Sequence, residues 1–337
     1  MNSGTVSINS RTFSEGAGCI QSGRKSLRRQ LAVVTVDVEP DNVWGDFRSS
    51  SLKNIAALPR FQELCSRYGV RPTYLVCYSV ASDNQCCSVL EQFLKNGACE
   101  VGAHPHMWEI PPHVKLDSTA TPANLYPIEA VEEKLSSLTQ LLHARFGPMT
   151  SHRAGRWGFV ADHAGPLAKL GYGVDTSVTP GIDWSSTGAP NFRAAGLAPA
   201  YWKQGSVLEV PCTVRPALVN HRLARSRFPT ATMRRAGLGA SWLRCRPDMT
   251  AKKMVQVSDW ASRTLGFLNV MTHSSELCAG ASPLWRTEEA VSAHLRRYEE
   301  LFGHWVANGV ETVTLQEFAM FWRRTQKKIK EQVAVNG

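Results

Sequence analysis

The sequence predicts a single α/β domain in which a parallel sheet closes into a (β/α) barrel of seven or eight strands. Three observations predict it. Short apolar runs of strand type alternate with amphipathic helical segments over residues 31–330. The residues able to do chemistry collect where those runs end. No internal repeat or linker divides the chain. Parallel strands need crossovers, and helices between strands provide them.

Leu31–Asp37 opens the series, since Leu31-Ala32-Val33-Val34-Thr35-Val36 suits a strand buried on both faces. Ile55–Tyr68 reads as a helix with Pro59 in its first turn. Pro72–Tyr78 is the second strand, Val89–Asn96 a helix halted before Gly97, and Cys99–His104 the third strand. Ile128, Val131, Leu135, Leu138, Leu141 and Leu142 recur at spacings of three and four, so Ile128–Phe146 is an amphipathic helix stopped by Gly147-Pro148. Thr150–Arg153, Val174–Val178 and Val207–Val210 read as strands, with a helix over Val160–Leu170. Then come Ala251–Leu265 (helix), Phe267–His273 (strand), Glu288–Ala307 (helix), Val310–Leu315 (strand) and a last helix from Gln316.

The 337 residues are 43% hydrophobic and 20% charged, a globular balance rather than a disordered one. Nine scattered cysteines, odd in number and without a C-x-x-C pair, exclude a disulfide framework and a zinc knuckle. They read as buried thiols of a reducing compartment, which points to the cytoplasm. No run reaches the roughly 18 apolar residues of a membrane span. Residues 1–30, rich in Ser, Gly and Arg, read as a disordered basic leader. Net charge is +10, and ten basic residues fall between Arg215 and Lys253 against one acid, Asp248. That segment is a solvated insertion at about 215–253, or a positive rim for an anionic substrate such as a nucleotide-sugar, a lipid-linked pyrophosphate or a uronic-acid polymer. Few aromatics interleave its charges, so nucleic acid is not expected as a partner.

Four motifs carry the chemistry: Asp37-Val38-Glu39, His104-Pro105-His106, Arg153-Ala154-Gly155-Arg156-Trp157-Gly158 and His273-Ser274-Ser275-Glu276. Each lies at the end of a strand-type run, where α/β proteins place their sites. Alternation along a strand puts Asp37 and Glu39 on one face. Pro105 favours an extended backbone, which also puts His104 and His106 on one face. Glu39, His104 and His106 together form the donor set of an open divalent site, with zinc the best match. Asp41 and His113 are the alternative ligands.

The order and wording of these motifs resemble the polysaccharide deacetylases, the NodB-homology enzymes of the carbohydrate esterase family 4 type. The likeness runs over about residues 31–320, and is strongest to a branch associated with bacterial surface-polysaccharide synthesis. The resemblance implies a distorted barrel, one divalent metal, usually zinc, and removal of acetyl groups from N-acetylated sugars. It makes Asp37 the general base, Arg153 the partner that keeps this base ionised, and His273 the general acid. Arg156, Trp157, Trp108 and Glu276 become candidate substrate contacts, with Glu276 alternatively orienting His273. Three positions depart from the pattern. Val38 stands where the family has a ligand aspartate, Trp108 where it has its second histidine, and Gly155 where it has proline. The same chemistry would serve an O-acetyl ester or a cyclic amide. Val38 and Trp108 also leave open a metal-free sugar-binding or assembly protein.

Overall fold

The computed structural model describes residues 29–202, 207–217 and 240–336. Its strands are β1 (Leu31–Val38), β2 (Thr73–Val76), β3 (Glu100–Ala103), β4 (Ser151–His152), β5 (Val174–Asp175), β6 (Ala200–Tyr201), β7 (Leu208–Glu209), β8 (Val214–Arg215), β9 (Ser241–Trp242), β10 (Phe267–His273) and β11 (Glu311–Thr312). The helices are α1 (Leu58–Arg67), α2 (Tyr78–Ala81), α3 (Asn84–Lys95), α4 (Ile128–Phe146), α5 (Ala164–Lys169), α6 (Ala251–Thr264), α7 (Glu288–Ala307) and α8 (Leu315–Asn336). All eight predicted strands are present, several shorter than expected. Helix α3 starts five residues before the expected Val89. Asp83 caps it, accepting from the Cys86 N–H at 2.9 Å, and its polar first turn hides it from apolar periodicity.

One curled sheet runs in the order β10-β1-β2-β3-β4-β5-β7-β6, with β11 also on β1. Every pairing in it is parallel except β6 against β7. The sheet is a distorted barrel rather than a closed one, because among the described residues no strand ladder joins the β7–β6 edge back to β10. Pro211 lies just past β7 and has no N–H to offer a ladder. The seam is bridged instead by Thr213 and Asn269, whose backbone and side chain exchange bonds of 3.0 and 2.8 Å.

Inside the curl the side chains form three levels. Leu31, Val33, Val174, Leu208 and Val210 make an apolar floor, plugged by Leu315 and Phe318 of α8. Thr35, Thr176 and Asn269 form a buried polar level above it. Asp37 and Glu39 lie at the top, at the carboxyl end of β1. The alternate β1 residues Ala32, Val34, Val36 and Val38 pack into the helical layer. Val38 is therefore a core residue, turned away from the site.

The ribbon of β8 and β9 is antiparallel and flanks the basic segment. Residues 218–239 of that segment lie outside the described residues, as do residues 1–28 of the expected leader. The eight described cysteines are free thiols, all but Cys278 buried. Among the described residues, no helix is long and apolar enough to cross a membrane.

Candidate active site

The ends of β1, β3, β4 and β10 bring the four motifs together. Parallel register makes Asp37 the direct neighbour of His273 across β1 and β10. Arg153, one residue past β4, reaches across the interior. It donates to Asp37 Oδ1 at 2.6 Å, to Thr35 Oγ1 at 2.7 Å and to the Thr176 carbonyl at 2.9 Å. Burial works to raise the Asp37 pKa. Arg153, followed by His104 and His273, outweighs it and holds the carboxyl below its usual 3.8. Asp37 is thus a buried, ionised and fixed carboxylate.

Glu39, His104 and His106 are buried, and their ligand atoms all lie within 4.8 Å of one another. Glu39 Oε2 is 3.7 Å from His104 Nε2 and 3.4 Å from His106 Nε2. His104 Nδ1 meets the Arg153 carbonyl at 2.9 Å. A carbonyl only accepts, so Nδ1 carries the proton and the Nε2 lone pair faces Glu39. Trp108 stacks on His106 with centroids 4.4 Å apart and the rings inclined by 18°. Glu39 is held well below its usual 4.5. Burial opposes this, but His273 and then the neighbouring His104 and His106 prevail. Those same carboxylates raise His104 against its burial, whereas burial lowers His106. An ionised carboxylate and two imidazoles converging in a buried space fit a divalent ion, which replaces ligand protons when it binds. Neither alternative ligand joins them. Asp41 is engaged by Ser51 Oγ at 2.6 Å and the Asn54 N–H at 3.0 Å. His113 is 64% exposed and faces Asp117.

His273 Nε2 points into the site, 3.7 Å from Asp37 and 3.9 Å from Glu39. Behind it lies a residue that the sequence reading left in the basic segment. Arg244 is 6% exposed, lies 2.9 Å from His273 Nδ1, which is itself 3.2 Å from Glu276 Oε2, and donates to Glu276 Oε1 at 3.0 Å. Its guanidinium lies 5.2 Å from the Trp44 and Trp242 rings. Glu276 Oε2 accepts from the His273 N–H and from Thr272 Oγ1, each at 3.0 Å. Burial tends to raise Glu276, while Arg244 and then His273 hold it below its usual 4.5. Glu276 is fully buried, with both oxygens engaged, so it orients His273 and has no free oxygen for a substrate. Trp44, one of the tryptophans in loop-like stretches, donates to Glu39 Oε1 at 2.8 Å and meets the His273 ring edge-on at 4.5 Å.

Arg156 and Trp157 are half-buried beside this constellation. Both hold left-handed backbone, with φ of 54° and 58°, which non-glycine residues rarely adopt. Arg156 donates to the Val43 carbonyl at 2.5 Å and lies 5.5 Å from the Trp108 ring. Trp157 stacks against Trp184 at 5.9 Å. Gly155 has a steric reason: a Cβ there would collide with the His106 ring and sit 2.6 Å from the Pro105 carbonyl. A histidine at 106 and a proline at 155 would compete for the same space.

No family model matches the sequence, and no curated protein matches it. Solved structures do. A candidate polysaccharide deacetylase from Mycobacterium smegmatis superposes with a TM-score of 0.54 at 14% identity, over 90% of this chain and 94% of that one. A candidate glycoside hydrolase/deacetylase from Parabacteroides distasonis gives a TM-score of 0.52 at 13% identity, over 88% of this chain and 71% of that one. At such identities the likeness is one of architecture, and this chain has the polysaccharide deacetylase fold.

Proposed function

We propose that this protein is a metal-dependent hydrolase that removes an acetyl group from an N-acetylated sugar of a glycan or glycan precursor. The observation that carries the reading is the placing of Glu39, His104 and His106 beside an Arg153-paired Asp37 and an inward-facing His273. Glu39, His104 and His106 would hold the ion, zinc by donor type. When bound, a divalent ion there supplies Lewis acidity, polarising the acyl carbonyl and making water more acidic. Asp37 takes the proton of the attacking water, and Arg153 keeps Asp37 ionised and aimed. His273 acts as the acid in its protonated form, with Nδ1–H toward Glu276 Oε2 at 3.2 Å, and the proton to be given away sits on Nε2, on the Asp37 side. From Nε2 it passes to the amine nitrogen as the C–N bond breaks, releasing acetate and the free amino sugar. Trp157 and Trp184 offer apolar faces for the C–H surfaces of sugar rings. An O-acetyl ester would meet the same groups, and parallel assays on N- and O-acetylated sugars separate the two. The metal-free binder has less support, because a pure binder needs no base–arginine–acid set.

The test is elemental mass spectrometry on wild type and the double variant His104→Ala/His106→Ala, together with acetate release from N-acetylated oligosaccharides. One equivalent of divalent metal in the wild type is expected, absent from the variant along with acetate release. A wild type that stays empty after zinc, cobalt and manganese are offered would sink the reading.

A further inference from the structure

One nitrogen of His106 is unaccounted for. Nε2 lies on the Glu39 side, while Nδ1 is buried without a hydrogen-bond partner. An imidazole that ligates through Nε2 must carry its proton on Nδ1, and a buried N–H needs an acceptor. For His104 that acceptor is the Arg153 carbonyl. For His106 the facing group is Glu109 Oε1 at 3.8 Å, too long for a hydrogen bond. Glu109 is well placed to close the gap. The turn from His106 is tied by the Glu109 N–H donating to the His106 carbonyl at 3.1 Å. The same oxygen, Oε1, is anchored by the Tyr78 N–H at 3.0 Å, at the start of α2. One carboxylate oxygen has lone pairs for both donors.

We propose, on the metal-site reading above, that Glu109 is the positioning residue for His106, accepting its Nδ1–H when an ion occupies Nε2. This fixes the tautomer and ring angle and raises the basicity of the ligating nitrogen. The rival use of the same residues is a second metal site, since the ligand atoms of Cys77, His106 and Glu109 also lie within 4.8 Å of one another. That use would require a thiolate and an imidazole ligating through both nitrogens. A neutral imidazole has one lone-pair nitrogen, and in His106 that is Nε2 on the Glu39 side, while Cys77 Sγ already meets Ser79 Oγ at 3.3 Å, which favours the positioning role.

The experiment is zinc uptake and affinity by chelator competition for wild type, Glu109→Gln, Glu109→Ala and Cys77→Ser, with unfolding temperatures of the metal-free forms as a control. The expected pattern is one equivalent in the wild type and affinity lowered roughly 10–100-fold in Glu109→Ala. Glu109→Gln, which keeps an acceptor oxygen but no charge, should fall between, and Cys77→Ser should match wild type. Should the alanine variant lose its fold, the near-isosteric glutamine variant carries the test. Wild-type affinity in a folded Glu109→Ala would overturn the assignment. So would two equivalents in the wild type with one lost in both Glu109→Ala and Cys77→Ser, which would make Glu109 a ligand. Failure of the wild type to bind any metal would instead remove the metal-site reading, and the assignment with it.

Discussion

Arg153 is fully buried and commits its guanidinium to Asp37, Thr35 and Thr176, so its charge is matched and its geometry fixed on three sides. A buried ion pair of this kind is weak evidence for stability, and its use is to keep one carboxylate ionised where burial alone would protonate it. Asp37→Asn should therefore lower acetate release by roughly 10²–10⁴-fold while metal content, read by elemental analysis, stays at the wild-type level. Unchanged release would show that Asp37 is not the base. At this scale the sequence was informative where residues close a strand: Asp37, Glu39, His104, His106, Arg153 and His273 were all singled out, and they meet. Arg244 was not, because a lone arginine inside a basic run reads as a solvated charge. The available signal was the preceding Ser241-Trp242-Leu243, a short strand-type stretch whose next residue turns inward. Trp44 could not be told from the other loop tryptophans, since nothing local distinguishes one that donates to a buried carboxylate from one that only packs.

Elements explain a second cluster, on the outer face of the sheet. Register aligns His152 of β4 with Asp175 of β5, and Asp175 with Glu209 of β7. All three side chains are buried on the face opposite Arg153. His152 bonds Asp175 at 2.7 Å. Burial acts to raise both carboxyls, but His152 holds Asp175 below its usual 3.8, whereas Asp175 adds to burial and drives Glu209 well above its usual 4.5. Glu209 therefore stays protonated in the folded chain at pH values where the unfolded chain has ionised it. Below about pH 4.5 both states hold that proton and nothing is lost. Above it the folded state binds more protons, so stability falls by up to about 1.4 kcal/mol per pH unit until Glu209 itself titrates. Glu209→Gln, which mimics the protonated form, should raise the unfolding temperature more at pH 8 than at pH 5. An equal shift at both would show that Glu209 is ionised in the fold. Long helices were legible to the residue, as Ile128–Phe146 and Glu288–Ala307 show. Helix α3 was not, because its first turn is polar, and β6 was missed because a two-residue antiparallel edge strand has no periodicity to read.

Across the whole molecule, an apolar floor closed by α8 supports a polar middle and an ionised top. Glu39 follows β1 and His104 and His106 follow β3, so an ion held by the three would tie separate parts of the sheet together. Zinc at about one hundred times its dissociation constant should raise stability by about 2.7 kcal/mol, or roughly 4 °C in unfolding temperature for a chain of this length. Chelation should reverse the shift, and His104→Ala/His106→Ala should show none. A shift of equal size in that variant would place the bound ion elsewhere. The barrel was legible from alternation alone, but its open seam was not, because Pro211 and the Thr213–Asn269 bridge act only in three dimensions. The placing of β1 between β10 and β2 has a consequence for biosynthesis. One flank of this eight-residue, wholly buried strand finds its partner only after residue 273 leaves the ribosome, roughly ten to fifty seconds later at usual translation rates. The nascent chain thus carries Glu39, His104 and His106 long before His273 exists, and its open β1 edge is where chaperones would be needed most.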